Sequence, residues 1–429
     1  MKWSRIFQSA INSANPILSR SPLARGDPRL RGLPLHEMKP EPSTLRRVAI
    51  ACGGTGGHLF PGLAVAEVLR AANCKVSLLV SPKEVDQEAV KSVSGMEVFT
   101  LPAVGLNRGK SIAFLAGFAR SYRASRKLFR SSPPSAVLAM GGFTSAPPLL
   151  AGKRTGARGF LHESNSIPGR ANRWLSWGVD RAFISFPSAA RRLHASQVSV
   201  SGTPVRDVFR GLKLEACRCA LGLDPQRPTV LVMGGSQGAS GVNALMMESL
   251  ALLKQTLPQL QWIHVAGSQD VTRVRARYEQ LQMSAVVYPF FARMDLALGA
   301  ATVAVSRAGA SSLAELAAVR LPSVLIPYPA ATDNHQLFNA RAYEQSGAAR
   351  LLEQSGATPQ QLRDSIVNLC EDLARRKAMA EALAKWDAPQ AARQIASVIL
   401  GSSLGERQTP MVSEPADSPD LHRHHSALA

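Results

Sequence analysis

The chain opens twice in the same way. A short apolar run, Arg47–Cys52 (RVAIAC), leads into GGTGGH, which ends at His58; a second, Pro228–Met233 (PTVLVM), leads into GGSQG, which ends at Gly238. Each is a buried strand, then a glycine-rich turn, then an amphipathic segment: Pro61–Ala72 after the first, Val242–Leu257 after the second. After the first opening the pattern predicts strands at Val76–Val80, Ala136–Met140 and Gly159–His162. After the second it predicts Trp262–Ala266, Ala285–Tyr288, Val303–Ser306 and Ser323–Pro327. Short apolar runs alternating with longer helical ones indicate parallel sheets covered on both faces. The restart therefore predicts an α/β chain of two Rossmann-like domains, joined near Gly202–Val208, with a ligand cleft between their strand ends. With 429 residues, 45% of them hydrophobic, each domain has material for its own core.

Glycine-rich turns at Gly53–Gly57, Gly141–Gly142 and Gly234–Gly238, with a fourth small-residue turn at Ala308–Ser312, fall at strand ends. Glycine lets the backbone turn sharply and approach a phosphate, and a following helix N-terminus offers free N–H groups to the anion. One such turn equally serves tight strand–helix packing; four favour a phosphate-bearing ligand. A dinucleotide fingerprint fails, because Gly54-Thr55-Gly56 is followed by Gly57, His58 and Leu59, and Lys75–Val80 ends in Ser81-Pro82 rather than an acid. No P-loop and no D-x-D occur. A diphosphate would then be met by helix N-termini and side chains, with no metal site apparent. His58 stands where the first turn enters its helix. An imidazole there suits a general base, but position alone suits a cap on local backbone groups better.

Fifty Lys and Arg against thirty Asp and Glu give a net charge of +20. Such an excess calls for an anionic partner: nucleic acid, an acidic membrane surface or a phosphorylated substrate. With 6% aromatics and no recognised nucleic-acid-binding motif, the first is a poor fit. Leu106–Arg130 carries Arg108, Lys110, Arg120, Arg123, Arg126, Lys127 and Arg130 without an acid, interleaved with Ile112, Phe114, Leu115, Phe118 and Leu128. That composition fits a surface resting on anionic headgroups, or an ordinary amphipathic helix. No apolar run reaches the ~18 residues of a membrane span. Five cysteines without framework spacing read as reduced thiols. Residues 1–45 are basic and rich in Ser, Pro and Arg: a disordered extension, a transit peptide, or a start placed too early, with Met38 as the alternative. Ser402–Ala429 reads as a disordered tail.

Seven motifs then occur in order: GGTGGHLFPGLAVAEVL (Gly53–Leu69), MGGFTSAP (Met140–Pro147), HESNSIPGRANR (His162–Arg173), GTPVR (Gly202–Arg206), GGSQGASGVN (Gly234–Asn243), SRAGASSLAEL (Ser306–Leu316) and DNHQLFNA (Asp333–Ala340). Together, over Arg47 to Leu400, they resemble the MurG family, which transfers GlcNAc from UDP-GlcNAc to a lipid-linked MurNAc-pentapeptide in peptidoglycan synthesis. The resemblance implies a GT-B fold and metal-independent, inverting transfer to the MurNAc C4 hydroxyl of undecaprenyl-pyrophosphoryl-MurNAc-pentapeptide, with no cofactor. It implies an acceptor domain at 46–202, a UDP-GlcNAc domain at 203–385 and a terminal helix at 386–401 returning to the first domain. Thr55, Gly56 and Gly57 would line the cleft, and His58 would take the acceptor proton. Asn165 would reach the donor; Arg206 and Ser236 would meet nucleotide and diphosphate; the main chain at Phe291 would meet uracil. Ala310, Ser311, Ser312 and Leu313 would offer N–H groups to the phosphates, Glu315 would hold the ribose and Gln336 the GlcNAc hydroxyls. Ser164 stands where the family often has Gln, and the variable DNHQ stretch leaves His335 without an assigned role. The implied location is the cytoplasmic face of the inner membrane, seated through Leu106–Arg130. Proteins of cell-wall synthesis and division would be its neighbours. Within the same fold, a diacylglycerol glycosyltransferase or a UDP-GlcNAc 2-epimerase is the alternative; an NAD-dependent oxidoreductase needs the fingerprint that is broken here.

Overall fold

The computed structural model describes residues 46–54, 56–83, 86–87, 90–91, 95–102, 111–235 and 238–401. The first half runs β1 (Arg47–Ala51), α1 (Gly56–Ala71), β2 (Lys75–Val80), β3 (Glu97–Thr100), α2 (Ser111–Ser131), β4 (Ala136–Ala139), α3 (Ala146–Arg154), β5 (Arg158–Glu163), α4 (Arg170–Leu175), β6 (Arg181–Ile184) and β7 (Val198–Val200). The second runs α5 (Leu214–Ala220), β8 (Thr229–Met233), α6 (Ser240–Thr256), β9 (Gln261–Val265), α7 (Val271–Gln280), β10 (Ala285–Tyr288), α8 (Met294–Ala300), β11 (Val303–Ser306), α9 (Ala310–Val319), β12 (Ser323–Leu325), α10 (His335–Gln345) and β13 (Arg350–Leu351). Three helices follow: α11 (Pro359–Glu371), α12 (Leu373–Ala384) and α13 (Ala391–Leu400).

The strands form two all-parallel sheets, in the orders β3-β2-β1-β4-β5-β6-β7 and β10-β9-β8-β11-β12-β13. The central strands β1, β4, β8 and β11 are almost wholly buried, as strands covered by helices on both faces must be. This is the doubly wound pair that the two openings predict. The pattern missed β3, β6, β7 and β13: they are short, lie at or toward the sheet edges and carry charged or exposed residues such as Glu97 and Arg181. It also started the first helix too late. Pro61 looks like a helix opener, but α1 begins at Gly56 and Pro61 lies inside it.

Two cores flank the first sheet and a third, larger one surrounds the second. Helix α13 contributes Ile395, Ala396 and Ile399 to the core of the first sheet, beside Ile50, Leu63 and Leu138. Its last carbonyls, at Ile399 and Leu400, accept from Arg158 and Arg46. The chain thus passes between the domains twice, and the two crossings touch. Gly202 has φ +75°, and a methyl there would lie 2.2 Å from the Ala388 Cβ, so only glycine fits. Arg210 and Asp387 join the crossings through two hydrogen bonds of 3.0 Å.

Candidate active site

In a parallel sheet every strand ends on one edge, and a crevice opens where the strand order reverses. The reversal falls between β1 and β4 in the first sheet and between β8 and β11 in the second. Gly53 and Gly54, after β1, and the Met140–Gly142 turn occupy the first position; Gly234 and Gly235, after β8, and Arg307–Ala310 occupy the second. The N-termini of α1 and α9 come together, because Ser311 Oγ donates to the Gly57 carbonyl at 2.9 Å. Proline explains why that carbonyl is free. Within α1 the Gly57 oxygen would accept from the N–H of residue 61, and Pro61 has none.

His58 is the third residue of α1, and its ring lies against Gly141 and Gly142. A methyl at Gly141 would sit 2.6 Å from His58 Cε1 and 2.8 Å from Nδ1, and one at Gly142 would sit 3.6 Å from Nε2. Both glycines have positive φ, +119° and +75°. Burial lowers the His58 pKa below the ordinary imidazole value, while the Glu163 charge, the Met140 carbonyl and the Asp86 charge act the other way and His335 lowers it again. A ring that is neutral at pH 7 can accept a proton, which a base requires.

The turn before His58 is fastened from a distance. Asp86 is fully buried; its Oδ2 accepts from Gly54 N at 2.6 Å and from Ser81 Oγ at 2.5 Å. Lys83 Nζ donates to the Gly54 carbonyl at 2.7 Å, so both backbone groups of Gly54 are held. At the end of β5, Glu163 is 2% exposed and accepts four hydrogen bonds: from Asn165 N and Nδ2, Gly169 N and Asn172 Nδ2. These shape the HESN segment. Across the cleft the fully buried Asn339 of α10 uses its whole amide. Oδ1 accepts from Ser166 N and Oγ, both at 2.9 Å, while Nδ2 donates to Asn165 Oδ1 at 3.1 Å and to the Ala308 carbonyl at 3.2 Å. An ion pair of 2.5 Å between Arg173 and Asp333 spans the same gap.

Of the residues singled out from sequence, the structure brings Gly56, Gly57, His58, Asn165 and the α9 start (Ala310, Ser311, Ser312, Leu313) together at this meeting of strand ends. Glu315 follows one turn along α9; burial lifts its carboxyl to about 7 against the opposing influence of Arg206. Arg206 lies over the rings of Phe60 and Phe209, at 5.0 and 5.4 Å, with Nε buried and unpartnered. Gln336 accepts from Tyr328 N at 3.0 Å through Oε1, which leaves its amide hydrogens as donors. Phe291 stands apart, after the outer strand β10, stacked on Tyr288 at 4.5 Å. Thr55 and Ser236 lie outside the described residues, as do residues 1–45, 402–429 and the 106–110 stretch. Reading residue by residue missed Asp86, Glu163, Asn172 and Asn339. The last three lie inside the quoted motifs, but nothing in a sequence marks which polar residue will be buried.

Helix α2 presents Arg120, Arg123, Arg126, Lys127 and Arg130 to solvent. Its apolar residues divide: Phe118 and Leu128 pack against the core, Phe114 meets Phe143 edge-on at 5.5 Å, and Leu115 is 64% exposed. On the same side of the sheet, α4 and the turn after it expose Trp174 (57%) and Trp177 (71%). No helix among the described residues is long and apolar enough to cross a membrane.

Two Rossmann-like domains that bring a neutral imidazole and a free helix N-terminus together across their strand ends define a glycosyltransferase of the GT-B architecture. Residues 48–184 match the N-terminal domain of glycosyltransferase family 28, and residues 229–395 match its C-terminal domain. The UDP-N-acetylglucosamine–N-acetylmuramyl-(pentapeptide) pyrophosphoryl-undecaprenol N-acetylglucosamine transferase of Xanthomonas euvesicatoria pv. vesicatoria is 38% identical over 382 residues, 88% of this chain and 86% of that one. The crystal structure of Acinetobacter baumannii MurG superposes with a TM-score of 0.64 at 26% identity, over 83% of this chain and 99% of that one. A UDP-N-acetylglucosamine 2-epimerase superposes with a TM-score of 0.61 at 12% identity, over 83% and 96%, and shares the fold alone. The chain belongs to the MurG family of N-acetylglucosaminyltransferases.

Proposed function

We propose that this enzyme transfers GlcNAc from UDP-GlcNAc to the C4 hydroxyl of MurNAc in undecaprenyl-pyrophosphoryl-MurNAc-pentapeptide, with inversion at the sugar C1. The observation that carries the reading is the Ser311–Gly57 contact, which puts the base-bearing start of α1 against the anion-binding start of α9. His58 takes the hydroxyl proton as the oxygen attacks C1 and the C1–O bond to UDP breaks. The N–H groups of Ala310–Leu313 and the side chains of Arg206 and Ser236 receive the diphosphate. Glu315 holds the ribose, the main chain at Phe291 the uracil, and Asn165 and Gln336 the sugar, with Thr55, Gly56 and Gly57 between donor and acceptor. The test is transfer of labelled GlcNAc to a short-chain acceptor analogue with EDTA present. Acceptor-dependent UDP release, lost in His58→Ala with donor binding kept, is the expected result. Donor binding without transfer overturns the acceptor assignment, and near-wild-type turnover of His58→Ala overturns the base.

The cytoplasmic face of the inner membrane is the proposed seat, through α2. Its outward cations would each gain about 1 kcal/mol or less against anionic headgroups, with Leu115, Trp174 and Trp177 as apolar contacts beside them. Replacing Arg123, Arg126 and Lys127 by Glu abolishes salt-sensitive binding to vesicles rich in phosphatidylglycerol; unchanged binding refutes this seat.

A further inference from the structure

Two consecutive non-glycine residues, Asp333 and Asn334, hold left-handed backbone, with φ of 51° and 52°. Such residues are strained and persist only where their surroundings over-determine them. They form the turn that leads into α10, and Gln336 is the second residue of that helix. Part of what holds the turn is local: Asn334 N donates to the Ala331 carbonyl at 2.9 Å, and His335 Nδ1 donates to the Thr332 carbonyl at 2.7 Å. The rest comes from the other domain. Arg173 of α4 donates to Asp333 Oδ2 at 2.5 Å, and Arg170 stands 3.7 Å from Oδ1. Helix α4 is itself fixed, because the buried Glu163 accepts from Gly169 N at 2.9 Å and from Asn172 Nδ2 at 2.8 Å. Beyond Gln336, Asn339 makes a second bridge, to Ser166 and Asn165. Gln336 therefore lies midway in sequence between two anchors on the acceptor domain.

We propose that Arg173 and Asp333 are positioning residues for the donor sugar: through this ion pair the acceptor domain sets where the Gln336 amide stands, strengthening the hold on GlcNAc and leaving the hold on UDP unchanged. The proposal rests on Gln336 meeting the sugar. Gln336 Oε1 accepts from Tyr328 N at 3.0 Å, so the two amide hydrogens are the ends that can meet hydroxyl oxygens. Where they stand follows from where the strained turn sets the start of α10. The groups assigned to the nucleotide lie on other elements: Phe291 after β10, and Glu315 with Ala310–Leu313 on α9. The Arg173 and Asp333 side chains are 35% and 30% exposed, so as a stabiliser of the fold the pair counts for little. Its effect is on geometry at the sugar.

Asp333→Asn tests this, because it removes the charge and keeps a side chain that tolerates left-handed backbone. The KM for UDP-GlcNAc rises about threefold to tenfold, as expected for losing a charge-assisted hydrogen bond at a partly exposed site, while the Kd of UDP by calorimetry stays within about twofold. The urea midpoint does not move, which separates positioning from a merely structural role. Arg173→Ala gives the same split between UDP-GlcNAc and UDP, Arg173→Lys keeps most of the wild-type KM, and Asp333→Asn adds nothing further in the Arg173→Ala background. Either variant serves if the other does not fold. Equal weakening of UDP and UDP-GlcNAc, losses that add in the double variant, or an unchanged KM overturns the pairing. A wild-type KM in Gln336→Ala instead overturns the sugar contact beneath it, so the two failures are distinguishable.

Discussion

Gly141→Ala is the sharpest perturbation the geometry offers, because it acts on His58 without touching it. The new methyl would stand 2.6 Å from His58 Cε1 and 2.8 Å from Nδ1, where ordinary contacts begin at 3.4 Å. The ring must therefore retreat by the better part of an ångström, or the turn must open. Misplacing a reacting group by about 1 Å costs roughly 10²-fold in rate, or about 3 kcal/mol of transition-state stabilisation. The alanine must also hold φ near +119°, which adds about 1–3 kcal/mol of backbone strain to the folded state. Gly156→Ala separates the two effects: Gly156 has φ +85° but nothing within 4 Å of the new methyl. Both variants should lose stability in urea unfolding. Only Gly141→Ala should lose turnover with UDP-GlcNAc and a soluble acceptor analogue, and its donor KM should stay near wild type because α9 is untouched. Turnover of Gly141→Ala within about threefold of wild type would refute the placement of His58 against this turn, since far more than that is due from a 1 Å displacement.

Four further outcomes are expected. Ser311→Ala should cost about 1 kcal/mol or less, because it leaves the Gly57 oxygen unpaired at an exposed site; adding Pro61→Ala, which returns an N–H to α1, should recover part of it in a double-mutant cycle. The Glu315 carboxyl is lifted by burial to about 7, and its ionised form is the one that accepts from ribose hydroxyls; donor KM should therefore climb as pH falls below about 7. Glu315→Gln should raise that KM roughly 10–100-fold and flatten its pH dependence, as steady-state kinetics from pH 6 to 8 would show. Asn339→Ala strands Ser166 N and the Ala308 carbonyl in a buried interface, at a cost of about 2–4 kcal/mol in denaturant unfolding; an unchanged midpoint would mean the domains do not rest on this amide. Burial holds His162 down to about 4 and His264 to about 3, whereas the unfolded imidazoles protonate near 6.5. Their stabilising effect is therefore complete above about pH 6.5 and lost as pH falls toward 4 and 3, by about 3 kcal/mol for His162; His264→Leu should blunt the acid sensitivity of the unfolding midpoint.

Much of the architecture was legible because parallel strands buried on both faces must be apolar throughout, and glycine turns must follow those that bind anions. β1, β4, β8 and β11 announced themselves by that rule. Edge strands such as β3 and β13 carry exposed or half-exposed residues and follow no such rule. The start of α1 was misplaced because helix-opening proline is a preference of the first turn, and here the Ser311 hydroxyl compensates for a proline deeper inside.

The site divides along the same line. Which residues carry chemistry could be read from the motifs: an imidazole after GGTGG, small residues opening α9, and a carboxylate one turn on. How they are held could not. Asp86 under Gly54, Asn339 across the cleft, and Asn172 under Glu163 are each joined to their partners by the folded geometry. A local pattern records backbone conformation and which face of an element is buried, since both repeat along the chain. A hydrogen bond between residues far apart in sequence has no such period, so only the packed tertiary structure decides it.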